Sequence, residues 1–171
     1  TAENESSFRS MIDPDWPGFL NPPDMPSAIE NYCKATGQPI PTNMGQFVRT
    51  ILESLALTYR HTLEQLRDIS GKNIEQINVV GGGSRNRLLC QFTADATGLP
   101  VYAGPAEATA VGNILVQAMA SGSIRSLEEL RGVVRRSFDP DLYEPKPAAD
   151  WDEAYERFTE LRHKENVPRG T

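Results

Sequence analysis

Ile77-Asn78-Val79-Val80 is an apolar run that stops at Gly81-Gly82-Gly83 and continues as Ser84-Arg85-Asn86. A strand that ends in a glycine turn and feeds a helix brings backbone N–H groups up to an anionic or nucleotide ligand. The glycines carry no Cβ to hold a ligand off and can turn with positive φ. Gly81, Gly82 and Gly83 are therefore the first candidate ligand contacts, and Asn86 is the next. Its amide offers two donors and an acceptor, suited to an adenine edge or a ribose hydroxyl. A helix-start polar residue is the plainer account of the same side chain. Arg85 and Arg87 could reach a phosphate or simply face solvent, and Gln91 is a second-line candidate. Asp95 reads as a helix-surface charge, and Glu107 and Thr109 read as capping groups for the next helix.

Several familiar sites are excluded. The turn is not GxGxxG, and no acidic residue follows the second strand where a ribose-binding carboxylate would stand, which argues against a dinucleotide enzyme. Gly71-Lys72 lacks the glycines of GxxxxGK[ST] and follows a helix. Cys33 and Cys90 lie far apart, outside metal or CxxC spacing, and read as reduced thiols of a cytosolic protein. His61 and His163 sit in charged helical surroundings, and no catalytic constellation assembles from the chain.

The elements that position the turn follow from periodicity. Ile74 to Val80 reads as a strand, Ser84 to Thr97 as a helix, and Val101-Tyr102-Ala103 as a second strand ending at Gly104-Pro105. Such a unit implies two parallel strands, with both glycine turns at the C-terminal sheet edge where ligands bind in open α/β folds. Upstream, Ser27 and Glu30 have capping-box spacing for a first helix. A long helix runs from about Met44 to Ile69, with Phe47, Ile51, Leu55 and Tyr59 in one row and Val48, Leu52, Ala56, Leu63 and Leu66 beside it. Arg49, Glu53, Arg60, Glu64, Arg67 and Asp68 fall on its polar remainder. Downstream, Ala106 to Ser121 is a helix whose small residues, Gly112 included, suit close packing against a neighbour. Ser126 and Glu129 form a second capping box, and the prolines from Pro140 to Pro147 break regular structure. A charged helix spans Asp150 to Lys164 with Trp151, Tyr155, Phe158 and Leu161 on one stripe, and Val167 to Thr171 reads as a frayed end.

Composition agrees with one soluble α/β domain. The chain has 171 residues, 39% hydrophobic, with net charge −6. The acidic balance argues against nonspecific nucleic-acid binding, and Arg131, Arg135 and Arg136 read as a solvated helix face. No apolar run reaches membrane-spanning length. The chain begins without Met and without a clear element, so a piece of a longer protein is expected.

The glycine stretch, together with Leu88 to Gln91, Ala94 to Val101 and the run Ala103 to Ile114 (Gly104-Pro105, Glu107-Ala108-Thr109, Gly112-Asn113), resembles the C-terminal part of the FGGY carbohydrate kinases over roughly residues 8 to 140. Among these it is most similar to the kinases of rhamnulose. The resemblance implies an α/β lobe of the actin-like, ribonuclease-H-like ATPase fold, with a parallel strand–helix–strand core and several packing helices. With the proline-rich residues 1–25 read as an irregular N-terminal arm and 146–171 as a C-terminal helix and tail, the resemblance places a nucleotide-binding lobe over 26–145. Gly81, Gly82 and Gly83 would lie against ATP, with Asn86 nearby. Mg²⁺ and a ketose, L-rhamnulose, would complete the reactants. An N-terminal lobe would carry the catalytic aspartate and phosphate loop, neither of which has a counterpart here. Another sugar such as xylulose or fuculose, or a noncatalytic nucleotide-binding or interaction module, remain the alternatives.

Overall fold

The computed structural model describes residues 2–146 and 150–163. Pro147, Lys164 and the tail expected over 167–171 lie outside the described residues.

Two helices precede the sheet. The first, α1 (Met25–Ala35), starts earlier than the Ser27–Glu30 spacing suggests. Asp24 is its cap, with the carboxylate accepting the Ser27 amide at 2.9 Å and Pro26 in the first turn. Proline costs nothing there, because the N–H it lacks would have had no helical partner. The second, α2 (Met44–Ser70), runs 27 residues from an Asn43 cap to Gly71. Its buried residues are Thr50, Leu52, Glu53, Ser54, Ala56, Leu57 and Leu63. Glu53 thus departs from its expected polar face, because the N-terminal arm lies over that side of the helix.

The arm is irregular but anchored. Phe8, Met11 and Ile12 are buried with Ile29, Tyr32 and Cys33 of α1, Leu52, Ala56 and Leu57 of α2, and Phe92. Polar side chains take up its backbone groups. Glu53 accepts the Phe8 amide at 2.8 Å, Ser54 Oγ accepts the Ile12 amide at 2.9 Å, and Gln38 both accepts from and donates to Met11 at 2.8 Å. These bonds replace the sheet or helix partners an irregular segment lacks.

The strand–helix–strand unit is β1 (Ile77–Val79), α3 (Arg87–Thr97) and β2 (Val101–Ala103). The strands are parallel, with Ile77 opposite Val101 and Val79 opposite Ala103. Cys90 and Ala94 of α3 pack onto Val101 and Ala103, which joins helix to sheet. The expected strand from Ile74 is shorter, since only Ile77 to Val79 find a partner. A third strand, β3 (Asp141–Tyr143), runs antiparallel to β2 within the stretch expected to be broken by prolines. Pro140 and Pro145 bound it, and pairing with β2 supplies what three residues of periodicity cannot.

Between β2 and β3 lie α4 (Ala108–Ala120) and α5 (Leu127–Ser137). The Ser126 hydroxyl accepts the Glu129 amide at 3.1 Å, as its spacing suggests. The small-residue face of α4 meets no close neighbour at Gly112 among the described residues. A Cβ built at Gly112 finds nothing within 4 Å, and only Leu115 is buried. Ile114 and Val116 are 65% and 61% exposed. Finally, α6 (Asp150–His163) buries Trp151, Ala154, Phe158 and Leu161 in the core that holds the arm and α2. Trp151 meets Phe8 and Phe92 edge-on at 4.7 and 5.5 Å, favourable geometry for aromatic pairs.

Candidate functional site

The two glycine turns meet at the C-terminal edge of β1 and β2. The Gly104 amide donates to the Val79 carbonyl at 2.8 Å, and the Gly81 amide donates to the Pro105 carbonyl at 3.1 Å. Each turn therefore holds the other by one backbone bond. Outside them, Arg85 Nη2 meets Glu107 Oε1 at 2.8 Å. That pair is 70% and 73% exposed, so it joins the turns with little energy of its own.

The three glycines have different reasons to be there. Gly81 has φ +76°, a conformation in which a side chain is strained. Gly82 and Gly83 lie outside the left-handed region. A Cβ at Gly82 would meet nothing within 4 Å, and one at Gly83 only Val79 Cγ1 at 3.8 Å. Nothing within the described fold demands glycine at these two positions.

Gly82 and Gly83 open a 3-10 turn, Gly82–Arg85, that stands between Gly81 and α3. Ser84 is accordingly not the helix start, as its type suggests. It is 7% exposed, and its hydroxyl and amide both donate to the Gly81 carbonyl, at 2.7 and 3.1 Å. The cap of α3 is Asn86, whose Oδ1 accepts the Leu89 amide at 3.1 Å. Its acceptor is thus engaged, and the Nδ2 donors are what it can offer a ligand. The Gly82 and Gly83 amides find no acceptor among the described residues.

Buried beneath the turn, the Cys90 thiol lies 3.9 Å from both the Gly83 and Ser84 carbonyls. Burial pushes its pKa above the ordinary thiol range, which keeps it protonated and unreactive.

The remaining candidates separate from this surface. Gln91 Nε2 donates to Asp95 at 2.8 Å and to the Glu144 carbonyl at 2.9 Å. Asp95 also accepts the Lys146 amide at 2.8 Å, so it anchors the chain after β3 and is more than a surface charge. Arg87 and Thr109 are exposed, and Glu107 caps no amide of α4. His61 Nδ1 lies 3.2 Å from the Tyr155 hydroxyl, which donates to Glu64 at 2.6 Å. A cavity of about 430 Å³ between α2, the end of α3 and α6 contains no residue of the glycine turns. Its Arg60 is already paired with Glu64 and Asp152. Among the described residues no group of three or more His, Cys, Asp or Glu side chains could hold a metal ion. No helix there is long and apolar enough to cross a membrane.

Ser84 was legible only as a helix-start residue. The turn inserted before Asn86 changes its role, and adjacent cap-type residues do not reveal which one the helix uses.

Comparison with known proteins gives the family and the fold. Residues 2–121 match the FGGY family of carbohydrate kinases, C-terminal domain. A rhamnulokinase of Bacteroides thetaiotaomicron is 52% identical over 157 residues, covering 92% of this chain and 32% of that protein. A rhamnulokinase of Pectobacterium carotovorum is 39% identical over 164 residues, covering 96% of this chain and 33% of that protein. The chain thus spans about a third of the length of these curated relatives. A xylulose kinase from Rhodospirillum rubrum superposes with TM-score 0.56 at 27% identity, over 73% of this chain and 25% of that one. A gluconate kinase from Lactobacillus acidophilus shares the fold, with TM-score 0.59 at 17% identity over 77% of this chain and 27% of that one. The mixed α/β arrangement is therefore part of the actin-like ATPase fold of sugar kinases. By its sequence match over residues 2–121 and by this fold, the chain belongs to the FGGY family of carbohydrate kinases and contains their C-terminal domain.

Proposed function

We propose that this chain is the ATP-binding portion of a kinase that transfers the γ-phosphoryl group of ATP to a ketose, converting L-rhamnulose to L-rhamnulose 1-phosphate. The carrying observation is the open surface at Gly82 and Gly83, where glycine answers no internal need and two amides find no acceptor among the described residues. A nucleotide laid there gives both features a reason. Gly82 and Gly83 let it approach the backbone, their amides donate to it, and Asn86 Nδ2 donates beside them. The named relatives support this choice of sugar, since two rhamnulokinases match nearly the whole chain.

Phosphoryl transfer depends mainly on positioning and on stabilising charge. The described carboxylates offer no Mg²⁺ cage, so no step is assigned to the metal from this chain's residues. The catalytic base and phosphate loop would come from an N-terminal lobe of the same kinase. The uncovered apolar surface of α4, with Ile114 and Val116, fits packing against the remainder of such a protein. The division into an arm over 1–25, a lobe over 26–145 and a terminal helix and tail belongs to this reading, as does a cytoplasmic setting for the two free thiols.

Titration calorimetry of the chain with ATP, against GTP, tests the nucleotide half of the proposal. Binding of ATP is expected, and no heat with either nucleotide counts against it. An assay of the chain with ATP and L-rhamnulose should show no turnover. Robust phosphorylation would overturn the assignment of the base to another lobe.

A further inference from the structure

The turn contains a device that holds the Gly82 amide outward. In a trans peptide unit the carbonyl and the following N–H point in opposite directions. The Gly81 carbonyl and the Gly82 N–H belong to one such unit. Whatever holds that carbonyl inward therefore aims the Gly82 amide outward. Two donors hold it, the Ser84 amide at 3.1 Å and the Ser84 hydroxyl at 2.7 Å. The next inward carbonyls are engaged as well. Gly83 O accepts the Asn86 amide at 3.1 Å, and the Cys90 thiol lies 3.9 Å from Gly83 O and Ser84 O. Peptide units flanked by glycine rotate with little steric resistance, because no Cβ opposes the turn. A flip of the Gly81–Gly82 unit would point a carbonyl dipole at any anionic ligand and bury the donor.

We infer that Ser84 is a positioning residue: its hydroxyl latches the Gly81–Gly82 peptide in the orientation that presents the Gly82 amide to the ligand. The role rests on the nucleotide reading for its purpose but not for its geometry. Ser84 is 7% exposed and its hydroxyl is engaged by the Gly81 carbonyl. It acts through the peptide whose carbonyl it holds.

The test compares the full chain with Ser84→Ala and Ser84→Thr, and with Ser121→Ala as a control. Ser121 donates a similar bond to the Ala118 carbonyl at 3.0 Å, in an exposed helix end away from the turn. Amide NMR with relaxation dispersion reads exchange of the peptide between orientations on the μs–ms timescale. Ser84→Ala is expected to shift and broaden the Gly82 and Gly83 amide resonances, while Ser84→Thr and Ser121→Ala leave them as in the wild type. In calorimetry Ser84→Ala should weaken ATP about fivefold, the effect of one neutral hydrogen bond, with Thr restoring affinity. Gly82 and Gly83 amides that stay sharp and unshifted in Ser84→Ala would overturn the latch, even if the variant melts at a lower temperature. A wild-type chain that takes up no ATP would count against the nucleotide reading, and the amide spectra would then decide the latch by themselves.

Discussion

The Phe8 amide and the Glu53 carboxylate meet at 2.8 Å across 45 residues of sequence, and this bond fastens the N-terminal arm to α2. Glu53 is 1% exposed, and its other partner is Arg49 Nε at 2.7 Å. Arg49 in turn reaches the Ala2 and Glu3 carbonyls and Ser7 Oγ. Removing one member of a buried, hydrogen-bonded ion pair leaves the other uncompensated. Glu53→Ala is therefore expected to cost about 3 kcal/mol in urea unfolding. Because Phe8 packs on Trp151, release of the arm should also appear as a change in tryptophan fluorescence.

The same carboxyl sets a pH dependence. Burial raises its pKa above 4.5, only partly offset by the Phe8 amide and Arg49. The folded chain then binds the proton more tightly than the unfolded chain. Its contribution to stability is fully present below the unfolded value near 4.5 and is lost as pH rises through the folded pKa. The stability of the wild type relative to Glu53→Gln should thus fall as pH rises through that window and stay flat below it. Chemical denaturation at a series of pH values measures the difference, and a rise with pH would contradict the assignment.

Asn86 combines two functions that substitution can separate. Asn86→Ala removes the cap of α3 and should cost about 1 kcal/mol of stability. Asn86→Asp keeps a good cap acceptor but loses the Nδ2 donors. Under the proposed function it should melt like the wild type yet bind ATP more weakly, since it also adds negative charge. Equal ATP affinity for Asn86→Asp and wild type would remove Asn86 from the site.

Both thiols should resist alkylation in the folded chain. Burial lifts Cys33 to about 11 and also raises Cys90. Reaction with iodoacetamide at pH 8 is expected to be slow for both and to become fast after unfolding. Rapid modification of native Cys90 would mean that the turn above it opens readily.

The sequence made the central unit legible because its signals are local. Apolar strands, glycine stops and the helical spacing of Phe92 and Ala96 all act over a few residues. Features set by distant partners were hidden. Glu53 sits among charged positions of α2 and is buried only because the arm covers it. The strand Asp141–Tyr143 exists through its register with β2, not through any pattern of its own. Asn86 and Ser84 are both cap-type residues, and only the 3-10 turn that takes up Ser84 decides between them. The open face of α4 shows the converse, since Gly112, which suits close packing, meets no close neighbour among the described residues.

The most direct test of the account is ATP affinity in Gly82→Ala. Nothing lies within 4 Å of the added methyl, and Gly82 has no left-handed φ. Replacing glycine there should leave stability unchanged or raise it by about 0.5 kcal/mol. If a nucleotide lies against Gly82, the methyl occupies its space, and calorimetry should show affinity falling about tenfold or more. Wild-type ATP affinity in a normally folded Gly82→Ala chain would contradict the claim that this turn holds the nucleotide.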